Sequence, residues 1–282
     1  MTPVGALEIG GSHVSVAVVD GDDWSVGEYA RCALDSSGSL AAFLDVVRDC
    51  LRTVQSVAPD RWAVAIPGPF DYVNGIGGVH PRGKLAALTG VDLRNALAPL
   101  LGTDRIVFIN DATAFGLGSA LDHPGHRRLL ALTFGSGIGS VFVEDSRVVL
   151  DERVPRGGEI YHLPTGPDEA TIESRYGPAA LAAAQGFASF HELAEHARNN
   201  PHAAARLRAD VTALADALAP WLGSFAPDLV VCGGGACHAW DLFGAALSRR
   251  IAEHAGTAVR VVACPDTEKV ALRGAAAVAM AT

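Results

Sequence analysis

Residues Val4–Val19, VGALEIGGSHVSVAVV, decide how this chain folds. Two apolar, β-branched runs flank Gly10-Gly11-Ser12, and glycine tolerates the backbone angles of a tight reversal, so the stretch reads as a β-hairpin. The plan recurs later in the chain. Leu129 to Phe134 leads into the loop Gly135-Ser136-Gly137-Ile138-Gly139, then Ser140 to Glu144, continued by Val148 to Leu150. A third strand is expected at Tyr29 to Ala33, after the polar turn Asp20 to Asp23, and apolar positions at helical spacing follow from Ser39 to Ala58. A strand, glycine loop, strand plan that occurs twice predicts duplication of a β-β-β-α unit.

Between and after the hairpins, strands and helices alternate. Arg61 to Ile66 is a short apolar strand stopped by Pro67-Gly68-Pro69, since proline cannot donate to a ladder. Leu93 to Leu101 reads as helix and Arg105 to Ile109 as a buried strand ending at Asn110-Asp111. Ala112 to Leu121 reads as helix again. The alanine-rich last third predicts helices over Glu173 to Gln185, Phe190 to Arg198, Ala203 to Phe225, Ala239 to Ala255 and Lys269 to Thr282. Strands are expected at Leu229 to Cys232 and Ala258 to Ala263. Interleaved strands and helices mean an α/β fold. Two lobes are expected, 1–108 and 109–282, with the last helix, about 269–282, packing back on the first.

The chain has 282 residues, with 22 Lys and Arg against 31 Asp and Glu, a formal charge of −9. An acidic surface repels phosphate backbones and anionic headgroups, which argues against nucleic-acid and membrane partners. A small anion could still be bound by local backbone N–H groups. The five cysteines (Cys32, Cys50, Cys232, Cys237, Cys264) show no paired spacing, so reduced thiols are expected. The start carries no basic n-region and no apolar run is long enough to span a bilayer, which points to the cytoplasm.

Four glycine turns each follow a predicted strand: Gly10-Gly11-Ser12, Pro67-Gly68-Pro69, Gly135-Ser136-Gly137 and Gly233-Gly234-Gly235. Glycine lets backbone N–H groups approach phosphate oxygens with no Cβ in the way. Matched hairpin turns, a triple-glycine turn before a helix and Asn110-Asp111 at a strand end together point to a nucleotide-phosphate site.

The ordered series L-E-I-G-G-S-H, I-P-G-P-F-D, I-N-D-A-T-A, T-F-G-S-G-I-G, G-G-E-I-Y-H, C-G-G-G and L-R-G-A-A, from Leu7 to Ala276, resembles the ROK family of sugar kinases and sugar-responsive repressors. The resemblance implies a two-lobed actin-like (ribonuclease H-like) ATPase fold with a cleft between lobes. It implies an ATP- and Mg²⁺-dependent kinase acting on a primary hydroxyl of a hexose or hexose-like substrate such as glucose, an amino sugar or a cyclitol. Gly10, Gly11, Ser12, His13, Thr133, Gly135, Ser136 and Gly137 would hold the ATP phosphates, and Gly233, Gly234 and Gly235 would border the adenosine. Gly68 and Asn110 would line the sugar pocket, with Glu159, His162 and Glu173 binding its hydroxyls and Asp111 as catalytic base. A homodimer is also implied.

Three features depart from the family pattern. Glu8 stands where the family has aspartate, and its extra methylene moves the metal-side carboxylate by roughly 1.5 Å. Leu163 to Ile172 holds no cysteine where the family usually has a zinc loop, so no structural zinc is expected. His80, Arg82 and Lys84 make a pocket-side segment more basic than a plain glucose site needs. Simpler roles stand beside the chemical ones: Asp111 could cap the following helix, Glu173 could open one, and Glu159 with His162 could be a surface pair on one helix face. A non-catalytic sugar-binding regulator is the alternative. The family's repressors carry a helix-turn-helix ahead of the kinase-like part, and here the first phosphate motif already begins at Leu7.

Overall fold

The computed structural model describes residues 2–54, 58–79, 85–256 and 258–282; the basic stretch of His80, Arg82 and Lys84 lies outside them. The chain forms two compact units, Met1–Asp122 with Glu268–Thr282, and His123–Thr267.

The first unit opens with the expected hairpin, β1 (Pro3–Ile9) and β2 (His13–Asp20), followed by β3 (Val26–Ala33), α1 (Leu40–Leu51) and β4 (Trp62–Ile66). A two-residue hairpin, β5 (Phe70–Asp71) and β6 (Ile76–Gly77), precedes α2 (Leu93–Leu101), β7 (Ile106–Asn110) and α3 (Asp111–Asp122). The sheet order is β3-β2-β1-β4-β7, with β1, β2 and β3 antiparallel to one another and β1, β4 and β7 parallel. The carboxyl ends of the three parallel strands therefore share one edge. The Gly10 turn, Pro67-Gly68-Pro69 and Asn110-Asp111 all leave the sheet there, where open α/β sheets carry their ligands. Alternate residues of β1, β2 and β4 pack with Phe43 and Val47 of α1 and Leu93 and Leu97 of α2 into one core.

The second unit repeats the plan with β8 (Arg128–Phe134), β9 (Ile138–Glu144) and β10 (Arg147–Val148). Five helices follow: α4 (Ile172–Tyr176), α5 (Pro178–Ala184), α6 (Phe190–Asn199), α7 (Pro201–Ala217) and α8 (Ala219–Phe225). They precede β11 (Leu229–Gly233), α9 (Trp240–Ala255) and β12 (Arg260–Ala263). Its order, β10-β9-β8-β11-β12, matches the first sheet position for position: an antiparallel triplet joined to two parallel strands. The two sheets bear out the predicted duplication. The last helix, α10 (Thr267–Ala281), lies with the first unit from Glu268 onward.

Several boundaries differ from the sequence reading. The helix expected over 173–185 is two helices, because Pro178 has no N–H to continue α4 and instead opens α5. Pro220 likewise splits 203–225 into α7 and α8. The third strand starts at Val26 rather than Tyr29, since a bulge opposite Ala17–Val19 lets pairing extend past the irregularity. The first unit extends to Asp122 rather than ending at 108, because α3 packs closely against α10: a Cβ added to Gly118 would stand 1.8 Å from the Val270 carbonyl oxygen. All five cysteines are free. No helix among the described residues is long and apolar enough to cross a membrane.

Candidate active site

In the first unit, β1 delivers Glu8 one residue before its end, directly opposite Ser15 on β2, and Ser15 in turn faces Arg31 on β3. Glu8, Ser15 and Arg31 thus form a row across three strands. Glu8 Oε2 is shielded from solvent and has no hydrogen-bond partner among the described residues. Burial first, then the neighbouring Glu268 and Asp111 carboxylates, push the Glu8 carboxyl well above its usual range, with Arg31 opposing.

The Gly10 turn closes through the Gly10 N–H, which donates to the His13 carbonyl at 2.9 Å. His13 Nδ1 lies 3.3 Å from Ser12 Oγ and its ring sits under the turn, where a Cβ on Gly10 would meet His13 Cε1 at 3.2 Å. Asn110 ends β7. Its Oδ1 accepts the Thr113 N–H at 3.1 Å and its Nδ2 donates to Tyr72 Oη at 3.2 Å, while Tyr72 Oη donates to the Ile66 carbonyl at 3.1 Å. Tyr72, which the sequence reading missed, ties Asn110 to the end of β4. It also borders Gly68, whose added Cβ would stand 3.6 Å from Tyr72 Oη.

Asp111 opens α3 and its Oδ1 accepts the Ala112 N–H at 2.8 Å. Burial raises the Asp111 carboxyl above its usual range, and the Ala112 N–H only partly offsets it. The simple cap and the chemical group are therefore one residue: one oxygen is tied to the helix start, and the carboxyl is more basic than an exposed aspartate.

The second unit brings its predicted nucleotide turns together. Thr133 pairs with both Gly139 and Gly233, so the loop after β8 and the triple-glycine turn after β11 leave adjacent parallel strands at the same edge. Gly234 is required there twice over. Its φ is +91°, and an added Cβ would lie 2.5 Å from the Phe134 carbonyl oxygen. Its N–H donates to Thr267 Oγ1 at 2.8 Å, and the Gly135 N–H donates to the Gly137 carbonyl at 3.0 Å. Ser136 is exposed at the tip of its turn.

Glu159 and His162 do not share a helix face. They follow a single 3₁₀ turn, Arg156–Gly158, in which Gly157 and Gly158 both have positive φ, and both side chains reach solvent. The loop is pinned from below by buried Ser140, also missed from sequence, which donates to the Gly158 carbonyl at 2.6 Å and accepts the Ile160 N–H at 3.0 Å. The Tyr161 carbonyl accepts the Glu173 N–H at 2.9 Å, drawing the first turn of α4 to this loop. Burial, then Glu159 and Glu173, raise the Tyr161 hydroxyl pKa, so both carboxylates lie around one ring. Glu173 reaches further: its Oε2 accepts the Ile138 N–H at 3.2 Å and rests where a Cβ on Gly137 would stand 2.1 Å away.

The ROK family model matches residues 4–282. The chain belongs to the ROK family. A glucokinase of Thermotoga maritima is 28% identical over 312 aligned positions, covering 96% of this chain and 95% of that protein. The solved ROK glucokinase of Streptomyces griseus, in complex with glucose and AMPPNP, superposes with a TM-score of 0.79 at 17% identity over 99% of this chain and all of the other. A ROK hexokinase from Thermus thermophilus follows at a TM-score of 0.74 and 22% identity, covering 98% of this chain and 97% of its own. A ROK transcriptional regulator, described as a homologue of the Escherichia coli MLC protein, has the same fold at a TM-score of 0.78 and 18% identity, with 99% of this chain covering 78% of that one. The architecture is therefore the actin-like ATPase fold that the ordered motifs implied. Each ROK neighbour shares the paired units described above only as fold.

Proposed function

We propose that this ROK protein is an ATP-dependent kinase that phosphorylates a primary hydroxyl of a hexose or hexose-like substrate. The observation that carries the reading is Asp111: a carboxylate raised by burial, fixed through one oxygen to the start of α3, at the carboxyl edge of a parallel sheet. A general base works best when its pKa is drawn toward the working pH, and burial acts in that direction here.

In the proposed reaction the substrate oxygen attacks the γ-phosphorus of ATP. The new O–P bond forms as the bond to the ADP oxygen breaks, and the hydroxyl proton passes to the Asp111 carboxylate. Such transfer is mostly positioning and charge neutralisation. Gly10, Gly11, Ser12 and His13, with Thr133, Gly135, Ser136 and Gly137, are the groups proposed to hold the phosphates, and Gly233, Gly234 and Gly235 to border the base and ribose. The Gly10, Gly135 and Gly234 N–H groups close their own turns or reach Thr267, so the remaining donors of these turns carry the phosphate contacts. Gly68 and Asn110, with Glu159, His162 and Glu173, would bind the sugar, because carboxylates accept from vicinal hydroxyls and imidazole can do either.

Mg²⁺ fits what Glu8 offers. A buried carboxylate oxygen without a partner, beside two further carboxylates that repel it, is stabilised by a cation. Among the described residues no group of three or more His, Cys, Asp or Glu could hold a metal ion. Glu8 would therefore share the ion with phosphate oxygens and water, as Mg²⁺ sites of nucleotide enzymes commonly do. When bound, the ion would neutralise charge on the transferring phosphoryl group.

Glu8 also yields a stability prediction. A buried acid whose pKa is raised in the folded state contributes stability below its unfolded pKa and loses it as pH rises through the folded value. At neutral pH, Glu8→Gln is expected to raise the unfolding free energy of the ligand-free chain by about 1 kcal/mol or more while lowering Mg²⁺-dependent turnover. Denaturant melts at pH 5 and pH 8 test this. A Gln variant less stable than wild type at pH 8 would contradict it.

The function itself is tested by sugar-dependent ADP release across hexoses, amino sugars and cyclitols. Turnover on at least one is expected. Saturable sugar binding with no ADP release on any of them would instead favour the sugar-binding regulator.

A further inference from the structure

Polar side chains of two strands in the first unit surround the glutamate at the start of α10. Glu268 lies in the first turn of α10 and is half-buried. Ser15 Oγ and Tyr29 Oη donate to its Oε2 at 2.9 and 2.7 Å, and Arg31 Nε donates to Oε1 and Oε2 at 2.9 and 3.1 Å. His13 Nε2 stands 3.1 Å from Oε1. The arrangement follows strand period two: His13 and Ser15 alternate on β2, Tyr29 and Arg31 alternate on β3, and Ser15 pairs with Arg31. One face of two strands thus converges on a single carboxylate. Burial alone would raise the Glu268 carboxyl, but the adjacent His13 ring, the Tyr29 hydroxyl and the Ser15 hydroxyl outweigh it and hold it well below the usual range.

Ser15, Tyr29 and Arg31 would suffice to anchor the start of α10. His13 differs from them in standing at the end of the Gly10 turn, with Nδ1 on Ser12 Oγ, Nε2 on Glu268 and its ring packed beneath Gly10. Nδ1 meets Ser12 Oγ and Nε2 stands at ion-pair distance from Glu268 Oε1, so the imidazole cannot swing without losing one of these contacts. A carboxylate close to a phosphate turn would repel ATP unless it were neutralised, and the Arg31 guanidinium does that.

We infer that Glu268 is a positioning residue for nucleotide binding, holding the His13 ring under the Gly10–Ser12 turn so that the turn is preformed for the ATP phosphates. This inference rests on the kinase reading only in taking that turn as a phosphate site. Its consequence is a split between the two substrates: losing Glu268 impairs ATP binding and spares the sugar.

The test is calorimetric titration of the full chain with ATP in the presence of Mg²⁺, with sugar affinity measured in parallel. Removing hydrogen bonds to a charged group corresponds to about tenfold in affinity, so Glu268→Ala should weaken ATP binding about tenfold. Sugar affinity should stay within about twofold of wild type, well short of that tenfold step. His13→Ala should show a similar loss, and the double variant should be no weaker than His13→Ala alone, because one contact chain cannot be broken twice. Asp122→Asn loosens another anchor of α10, its ion pair with Arg273, away from the turn, and should leave ATP affinity unchanged. Should Glu268→Ala fail to fold, the isosteric Glu268→Gln is read in the same way. Wild-type ATP affinity in the Glu268 variants, equal loss of sugar and ATP binding, an ATP loss in Asp122→Asn as large as theirs, or independent losses that multiply in the double variant would overturn the inference. If wild type bound ATP yet phosphorylated no sugar, the kinase reading would fall and this comparison would still decide the role of Glu268.

Discussion

Replacing Asp111 by asparagine is expected to lower turnover about 100- to 10,000-fold, the range that a positioned general base supplies. Asparagine keeps the size of the side chain and an oxygen able to accept the Ala112 N–H, which wild-type Oδ1 accepts at 2.8 Å, so α3 should still begin at the same residue. What it removes is the capacity to take a proton. The loss should therefore appear in kcat with little change in the KM values. The wild-type pH profile gives a second readout. Asp111 must be ionised to act, and burial raises its pKa, so the acid limb of kcat should fall at a pH above the ordinary aspartate range. A profile flat down to pH 4, or an Asp111→Asn variant within about threefold of wild type where a base should cost 100-fold, would assign the proton transfer elsewhere.

The largest stability effect is expected at the crossing of α3 and α10. A Cβ added to Gly274 would stand 1.9 Å from the Ala114 carbonyl oxygen and 2.5 Å from the Gly118 nitrogen. These are backbone atoms, which cannot rotate aside as a side chain would. The two helices must separate to admit even a methyl group, opening contacts around buried Ala114, Phe115, Ala271 and Ala275. Gly274→Ala should cost about 3 kcal/mol, the upper part of the range for overpacking a tight core, and Gly274→Val more. Denaturant unfolding checks it; a Gly274→Ala midpoint equal to wild type would show that the helices do not meet this closely. Because Asp111 opens α3 and Glu268 stands in the first turn of α10, a shift of this crossing would also reach the active-site end of both helices.

Both hairpins are readable from sequence because they obey short-range rules, with near-continuous apolar, β-branched runs on either side of glycine turns. Their recurrence predicts a duplicated β-β-β-α unit, and the two five-stranded sheets repeat one strand order. Proline positions are equally visible, yet Pro178 and Pro220 lie inside alanine-rich stretches whose helical periodicity continues across them, so two helices are predicted where four stand. What sequence could not supply was pairing at a distance. Glu268 meets Ser15 across 253 residues, and only the fold shows that a glutamate opening the last helix completes an alternating H-x-S and Y-x-R face. Gly274 and Gly118 could be noticed as glycines within helices, but their reason is a backbone contact between helices 151 residues apart at their Arg273–Asp122 ion pair. The motif around Glu173 points to a sugar ligand, while its bond to the Ile138 N–H appears only once α4 and the second glycine turn stand side by side.

The deciding question is whether phosphorus leaves ATP for a sugar oxygen in the presence of this chain alone. Phosphorus NMR of a mixture of the purified protein, ATP, Mg²⁺ and glucose, then the same with amino sugars and cyclitols that bear a hydroxymethyl group, reads that transfer and its position. A new phosphate-monoester signal coupled to the protons of a primary carbon is expected, growing as ADP appears and absent with Asp111→Asn. ADP accompanied only by inorganic phosphate, or an unchanged ATP spectrum with every candidate, would contradict it.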